Sequence, residues 1–232
     1  MTRSTKRQFI ERSIALIMVL VSVLSGLYLI QNTSKQESIR VAGSKPTDAT
    51  VKVWANYRVH GDNCEAYSYD MFGHKAHQGG KITTFFTPNE VDSDDRYEFE
   101  VPYSHYTNSN NCTVELRDIK VEAYNAFDTV GFAQLRIYQS GTNYDNKALD
   151  LSSQIESRDC DSYIFKGLGN VWSGSLGCYL FVNDDKVSQK PNYNAETVYF
   201  DFSQFNSETV IHYDILAGEN YRSTPLDPKT GL

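Results

Sequence analysis

The chain has 232 residues, 40% of them hydrophobic, with 22 Lys and Arg against 29 Asp and Glu. Arg3, Lys6, Arg7, Arg12 and Glu11 are the charged residues of positions 1–31; without them 18 cations and 28 acids remain, a net of −10. That charge repels phosphate, so it argues against nucleic acid and anionic lipid surfaces as partners, and it attracts a basic protein.

In chain order, residues 1–12 form a short basic tail. Ser13 to Ile30, SIALIMVLVSVLSGLYLI, carries no charge. As a helix it spans roughly 27 Å, enough to cross a bilayer. The preceding cations place the N-terminus in the cytoplasm and the rest outside. Large residues at Tyr28–Gln31 disfavour a cleaved signal, so 13–30 reads as an uncleaved anchor in an inner membrane, with a periplasmic domain beyond it. Residues 31–49 are polar and read as a tether. Residues 218–232, with Pro225, Pro228 and Gly231, read as a loose tail or a surface strap.

Between them, over 50–217, apolar residues recur with period two. Val51, Val53, Ala55, Tyr57 and Val59 alternate with polar or amphipathic neighbours, as do Tyr97, Phe99 and Val101. Ala133, Leu135 and Ile137 alternate with Gln134, Arg136 and Tyr138; Val198, Phe200 and Phe202 with Tyr199 and Asp201; Ile211, Tyr213 and Ile215 with His212 and Asp214. In 112–125 the apolar set Cys112, Val114, Leu116 changes phase to Ile119, Val121, Ala123, which predicts a bulge at Arg117–Asp118. Shorter strands are predicted at 65–69, 81–86, 163–166 and 178–182, and a helix only at 147–157. The expectation is an all-β fold, an antiparallel β-sandwich of roughly ten strands, behind one N-terminal transmembrane helix.

Cys64, Cys112, Cys160 and Cys178 all follow the apolar segment. An even number on that side predicts two disulfides in an oxidising space. Three pairings are open; the sequence-near one, Cys64–Cys112 with Cys160–Cys178, gives two independent loops.

Catalytic and metal motifs are weak. His74 and His77 form an H-x-x-H after Asp70, but among glycines and without the spacing of a helical zinc motif. Gly167 to Gly177 does not match a nucleophile elbow and reads as a turn between strands. The acids of 92–95 and 183–185 lack the calcium-loop spacing. Asn32 and Asn111 begin glycosylation sequons that matter only in a eukaryotic source. No cofactor is expected.

The leading expectation is a non-enzymatic binding protein that engages a protein partner, one version being an immunity protein against a periplasm-acting toxin. Its expected contacts are Asp92, Asp94, Asp95, Asp184 and Asp185, which would steer a basic partner, with Tyr103 and Tyr106 beside the first loop. One alternative is a carbohydrate- or peptidoglycan-binding module using Trp54, Tyr67, Tyr69, Tyr103 and Tyr106. Another is an envelope hydrolase built on His74 or His105 and a carboxylate.

Overall fold

The structure is a computed structural model that describes residues 37–61, 64, 68–69, 75–76, 80–91, 93–104, 106–107, 112–141 and 147–232. The expected membrane segment at 13–30 lies outside these residues. Among the described residues no helix is long and apolar enough to cross a membrane.

Fourteen strands are described: β1 Ser38–Ser44, β2 Thr50–His60, β3 Ser68–Tyr69, β4 Lys75–Ala76, β5 Gly80–Phe86, β6 Arg96–Pro102, β7 Tyr106–Thr107, β8 Thr113–Tyr124, β9 Phe132–Gln139, β10 Gln154–Lys166, β11 Trp172–Val182, β12 Asp185–Lys186, β13 Glu196–Phe200 and β14 Val210–Ala217. A first sheet has the order β12-β11-β10-β14-β1-β6; a second has β13-β9-β8-β2-β5, with β7 on β8. The all-β expectation holds, but both sheets are mixed rather than antiparallel. Pairs β1/β14, β10/β14 and β9/β13 are parallel. Period-two alternation is the same for either strand direction, so direction is not written in it.

Both sheets feed one core that holds Ile39, Phe99, Ile155, Leu176 and Tyr213 from the first and Val53, Ile119, Leu135 and Phe200 from the second. Burying each such side chain contributes roughly 1.5–3 kcal/mol. Polar groups also cross between the sheets. Asp128, in the β8–β9 loop, accepts from Val130 and Gly131 amides with one oxygen. Its other oxygen accepts from the Leu176 amide and the Ser175 hydroxyl of β11. The loop is thereby fixed to the opposite sheet.

Two segments differ from expectation. Residues 38–44, read as tether, are β1, held between β14 and β6. Ile39 and Val41 are fully buried on one side of it, and Gly43 lets it pass β14: a Cβ there would meet the Tyr213 carbonyl oxygen at 1.9 Å. The helix expected at 147–157 is instead a coil, a turn and the start of β10. Asp150 makes the turn, accepting from the Ser152 amide and hydroxyl, and Ile155 and Ser157 then alternate into the core.

The bulge is where the phase change put it. Asn56 pairs with Asp118 and Tyr57 with Leu116, so Arg117 is the extra residue. The glycine-rich 167–177 segment is the connection between β10 and β11 and the start of β11, with Gly169 at φ 76°. Residues 218–232 contain no strand but run as a strap. Ser162 donates to the Asn220 carbonyl, Trp172 donates to the Pro228 carbonyl, and Tyr221 and Leu226 pack on the core.

Candidate functional site: an aromatic cleft

A cleft of about 1080 Å³ opens beside the second sheet, lined from β2 by Arg58, from β8 by Glu115 and Arg117, from β9 by Tyr138 and Gln139, and from β13 by Tyr199. Glu37, Tyr103, Ser104, Phe202, Ser203 and Phe205 close its other side. Arg58, Glu115, Arg117, Tyr138 and Tyr199 stand on the outer side of their strands, which is why core packing does not consume their rings and charges, whereas Gln139 lies on the inward phase of β9 at its end.

The bulge builds one wall. With Arg117 inserted, Asp118 stays on the outer side opposite Asn56 and Tyr138. Asp118 is nonetheless only 2% exposed. Asn56 donates its amide to one carboxylate oxygen at 2.6 Å, Arg117 lies 3.6 Å from the other, and Thr83 donates to the Asn56 carbonyl oxygen. Register therefore sets Thr83, Asn56, Asp118, Tyr138 and Tyr199 in one row across five strands. Tyr138 and Tyr199 lie 6.3 Å apart, tilted by 34°.

A 3₁₀ turn at Phe202–Gln204 builds the facing wall. Asp201 caps it, accepting from the Ser203 amide and hydroxyl and from Gln204. These bonds hold the Asp201 carboxyl below its usual range. Gln139 accepts from the Phe202 amide at 2.7 Å, pinning the turn to β9. Phe202 and Phe205 stack at 4.8 Å, and Tyr103 meets Phe205 edge-on at 5.8 Å. The Tyr103 hydroxyl donates to Glu37 at 3.3 Å; desolvation first, and the Glu37 carboxylate second, raise its pKa.

Of the contacts expected from sequence, Tyr103 lines this cleft. Asp94 and Asp95 precede β6 whereas Tyr103 follows it, so they stand at opposite ends of a seven-residue strand, roughly 23 Å apart. The expectation that Tyr103 lies beside the loop of Asp94 and Asp95 is corrected: adjacency in sequence is undone by an intervening extended strand. Asp184 and Asp185 lie at the β11–β12 turn, at the Tyr103 end of the first sheet but on its far edge. Asp184 is already engaged by Arg158. Asp92, the Tyr106 side chain, Tyr67, and the motif residues Asp70, His74, His77 and His105 lie outside what is described. Trp54 faces outward, its ring 5.8 Å from that of Phe85. Among the described residues no three His, Cys, Asp or Glu converge as a metal site.

Comparison with family models finds no match, and comparisons with curated proteins and with solved structures find none either. The cleft is accordingly read from its chemistry. It offers ring faces for stacking and the guanidinium groups of Arg58 and Arg117, set against the carboxylates of Glu37 and Glu115, and no histidine is among its described lining residues. The sequence did not point to Tyr138, Tyr199, Arg58 or Arg117 as site residues, Arg117 being marked only as part of the bulge. The usable signal was a tyrosine on the solvent side of each of two alternating strands, at 138 and 199, but nothing in the alternation says those strands are neighbours.

The cysteines pair as Cys64–Cys112 and Cys160–Cys178. The second joins adjacent strands where β10 bulges between Arg158 and Asp161. The first forms a small buried cluster with Val59.

Proposed function

We propose that this chain is an extracytoplasmic binding protein, without catalytic activity, whose ligand seats in the cleft between Tyr138, Tyr199 and Tyr103. The observation that carries the reading is the row of outward-facing rings beside Arg58 and Arg117. Rings held at the surface by a bulge, a capped turn and a pinned glutamine are ordered before any ligand arrives, which lowers the entropy cost of binding. Two disulfides support an oxidising location, and the apolar run 13–30 supports anchoring in an inner membrane with the domain in the periplasm. In this reading the two sheets are the halves of a β-sandwich and the cleft lies at one end of its outer wall.

A second reading keeps the protein partner, an immunity protein included. It is favoured by a ridge on the outer side of β10 and β11, where Tyr163 and Phe165 stack at 5.7 Å and Tyr193 packs alongside. Tyr163 is 55% exposed and Tyr193 42%, and aromatic rings are common anchors of protein interfaces.

The test is photo-crosslinking in cells with benzoylphenylalanine placed at Tyr138, at Tyr163 and at the exposed Glu219. A discrete adduct from position 138 alone is the expected result. An adduct from 163 and none from 138 would transfer the function to the ridge. Equal labelling at 138 and 219 would remove the cleft reading.

A further inference from the structure

The domain's charge is unevenly spread. Outward-facing positions of β2, β5, β8 and β9 carry six cations, Lys52, Arg58, Lys81, Arg117, Lys120 and Arg136, against three acids, Glu115, Asp118 and Glu122. Asp118 is 2% exposed and Glu122 is 5% exposed. Both are occupied internally, Asp118 by Asn56 and Arg117 and Glu122 by Tyr124 and Gln134. A chain that is net acidic therefore presents one sheet face whose accessible charge is positive.

Aromatic rings interleave with these cations. The Lys52 ammonium sits 4.2 Å over the Tyr124 ring and that of Lys120 5.9 Å from the Trp54 ring. Register places Phe85, Trp54, Lys120 and Arg136 in one cross-strand row, about 14 Å long at the usual strand spacing. Two residues along the strands lies the row that ends in Tyr138 and Tyr199, where the cleft opens. Phe85 is 70% exposed among the described residues, although its ring lies beside that of Trp54.

We infer that this face and the cleft together bind an acidic polysaccharide, a sugar chain bearing carboxylate groups. The inference rests on the cleft reading above and names its ligand class. A pyranose ring presents a C–H face that stacks on an aromatic ring, while its carboxylate pairs with Lys or Arg beside it. Rings beside cations, as in the row Phe85, Trp54, Lys120, Arg136 and in the pair Lys52 and Tyr124, meet both needs on one face. Charge complementarity favours an acid over a neutral sugar, since the exposed cations gain partners and steer encounter. Nucleic acid also offers rings and charge, but the disulfides support a space where nucleic acid is not the common polymer.

The test uses the full-length chain in neutral detergent and isothermal titration with three probes: oligogalacturonate, a maltodextrin of matched length, and poly-L-glutamate. Oligogalacturonate should bind, at least about tenfold more tightly than maltodextrin, and added salt should weaken it. Lys120→Glu combined with Arg136→Glu should weaken it by on the order of tenfold or more, and so should Trp54→Ala or Tyr138→Ala, with unchanged melting showing that each variant folds. Equal binding of maltodextrin would overturn the acidic class. Tighter binding of poly-L-glutamate would overturn the sugar class in favour of an acidic protein segment. Sensitivity to the charge variants but not to the ring variants would reduce the effect to non-specific attraction and also overturn it. An adduct at position 138 with no oligogalacturonate binding would refute this inference and leave the cleft reading standing.

Discussion

The hydroxyl of Tyr213 on β14 donates to the carbonyl of Ala133 on β9 at 2.6 Å, a hydrogen bond that passes from one sheet to the other through the core. The same hydroxyl accepts from Ser157 of β10, also at 2.6 Å. Tyr213 has no exposed surface, and Ala133 carries a positive φ of 50°, a conformation that alanine adopts only under constraint. Tyr213→Phe keeps the ring and removes the bond, leaving a buried carbonyl and a buried serine without this partner. It should cost about 1–3 kcal/mol in urea unfolding. A loss below about 0.5 kcal/mol would mean that water or a backbone shift replaces the bond.

Denatured but unreduced protein should show no reactive thiol, since all four cysteines are paired. Closing loops with separations of 48 and 18 residues contributes about 4 and about 3 kcal/mol respectively in the chain-entropy account. Cys64→Ala with Cys112→Ala should therefore destabilise more than Cys160→Ala with Cys178→Ala. The reverse order in chemical denaturation would show that tying β10 to β11 at their bulge matters more than loop length.

Asn56 and Asp118 form the buried polar pair beneath the cleft. Asn56→Ala leaves a carboxylate that is 2% exposed with, among the described residues, Arg117 as its remaining side-chain partner, and should cost roughly 3 kcal/mol. Asp118→Asn removes the charge and keeps a hydrogen-bonding partner, so it should cost less. Equal costs in denaturant melts would indicate that the bulge relaxes and lets water reach the site.

Glu122 gives a pH signature. Burial raises its carboxyl pKa above the ordinary 4.5, and this outweighs the opposing Tyr124 hydrogen bond and the Lys52 charge. The native state then holds the proton more tightly than the unfolded chain. The resulting stabilisation is complete below the unfolded value and is lost as pH rises through the native one. Glu122→Gln should flatten this part of the melting-temperature profile, gaining relative to the parent as pH rises from about 4.5 towards neutrality. Parallel profiles for the two proteins would show that the carboxyl is better solvated than its burial implies.

What the sequence by itself determined is mostly local. Alternation marked the inward residues of β2, β6, β9 and β14, because a strand with one face on the core must repeat every second residue. The phase change at Arg117–Asp118 marked the bulge for the same reason. Cysteine number and position indicated two disulfides but left three pairings open, of which the structure has the sequence-near one. Tertiary structure alone decided which strands are neighbours and in which direction. β1 pairs with β14, although 170 residues separate Ser44 from Asp214, whose carboxylate accepts from the Ser44 amide at the end of β1. A short stretch that reads as polar tether becomes an interior strand, paired with β14 on one side and β6 on the other. The cleft is of the same kind. Arg58, Arg117, Tyr138 and Tyr199 come from four separate strands, and each alone looks like an ordinary solvent-facing residue. Only sheet order and register bring them together, and no local period along the chain carries that information.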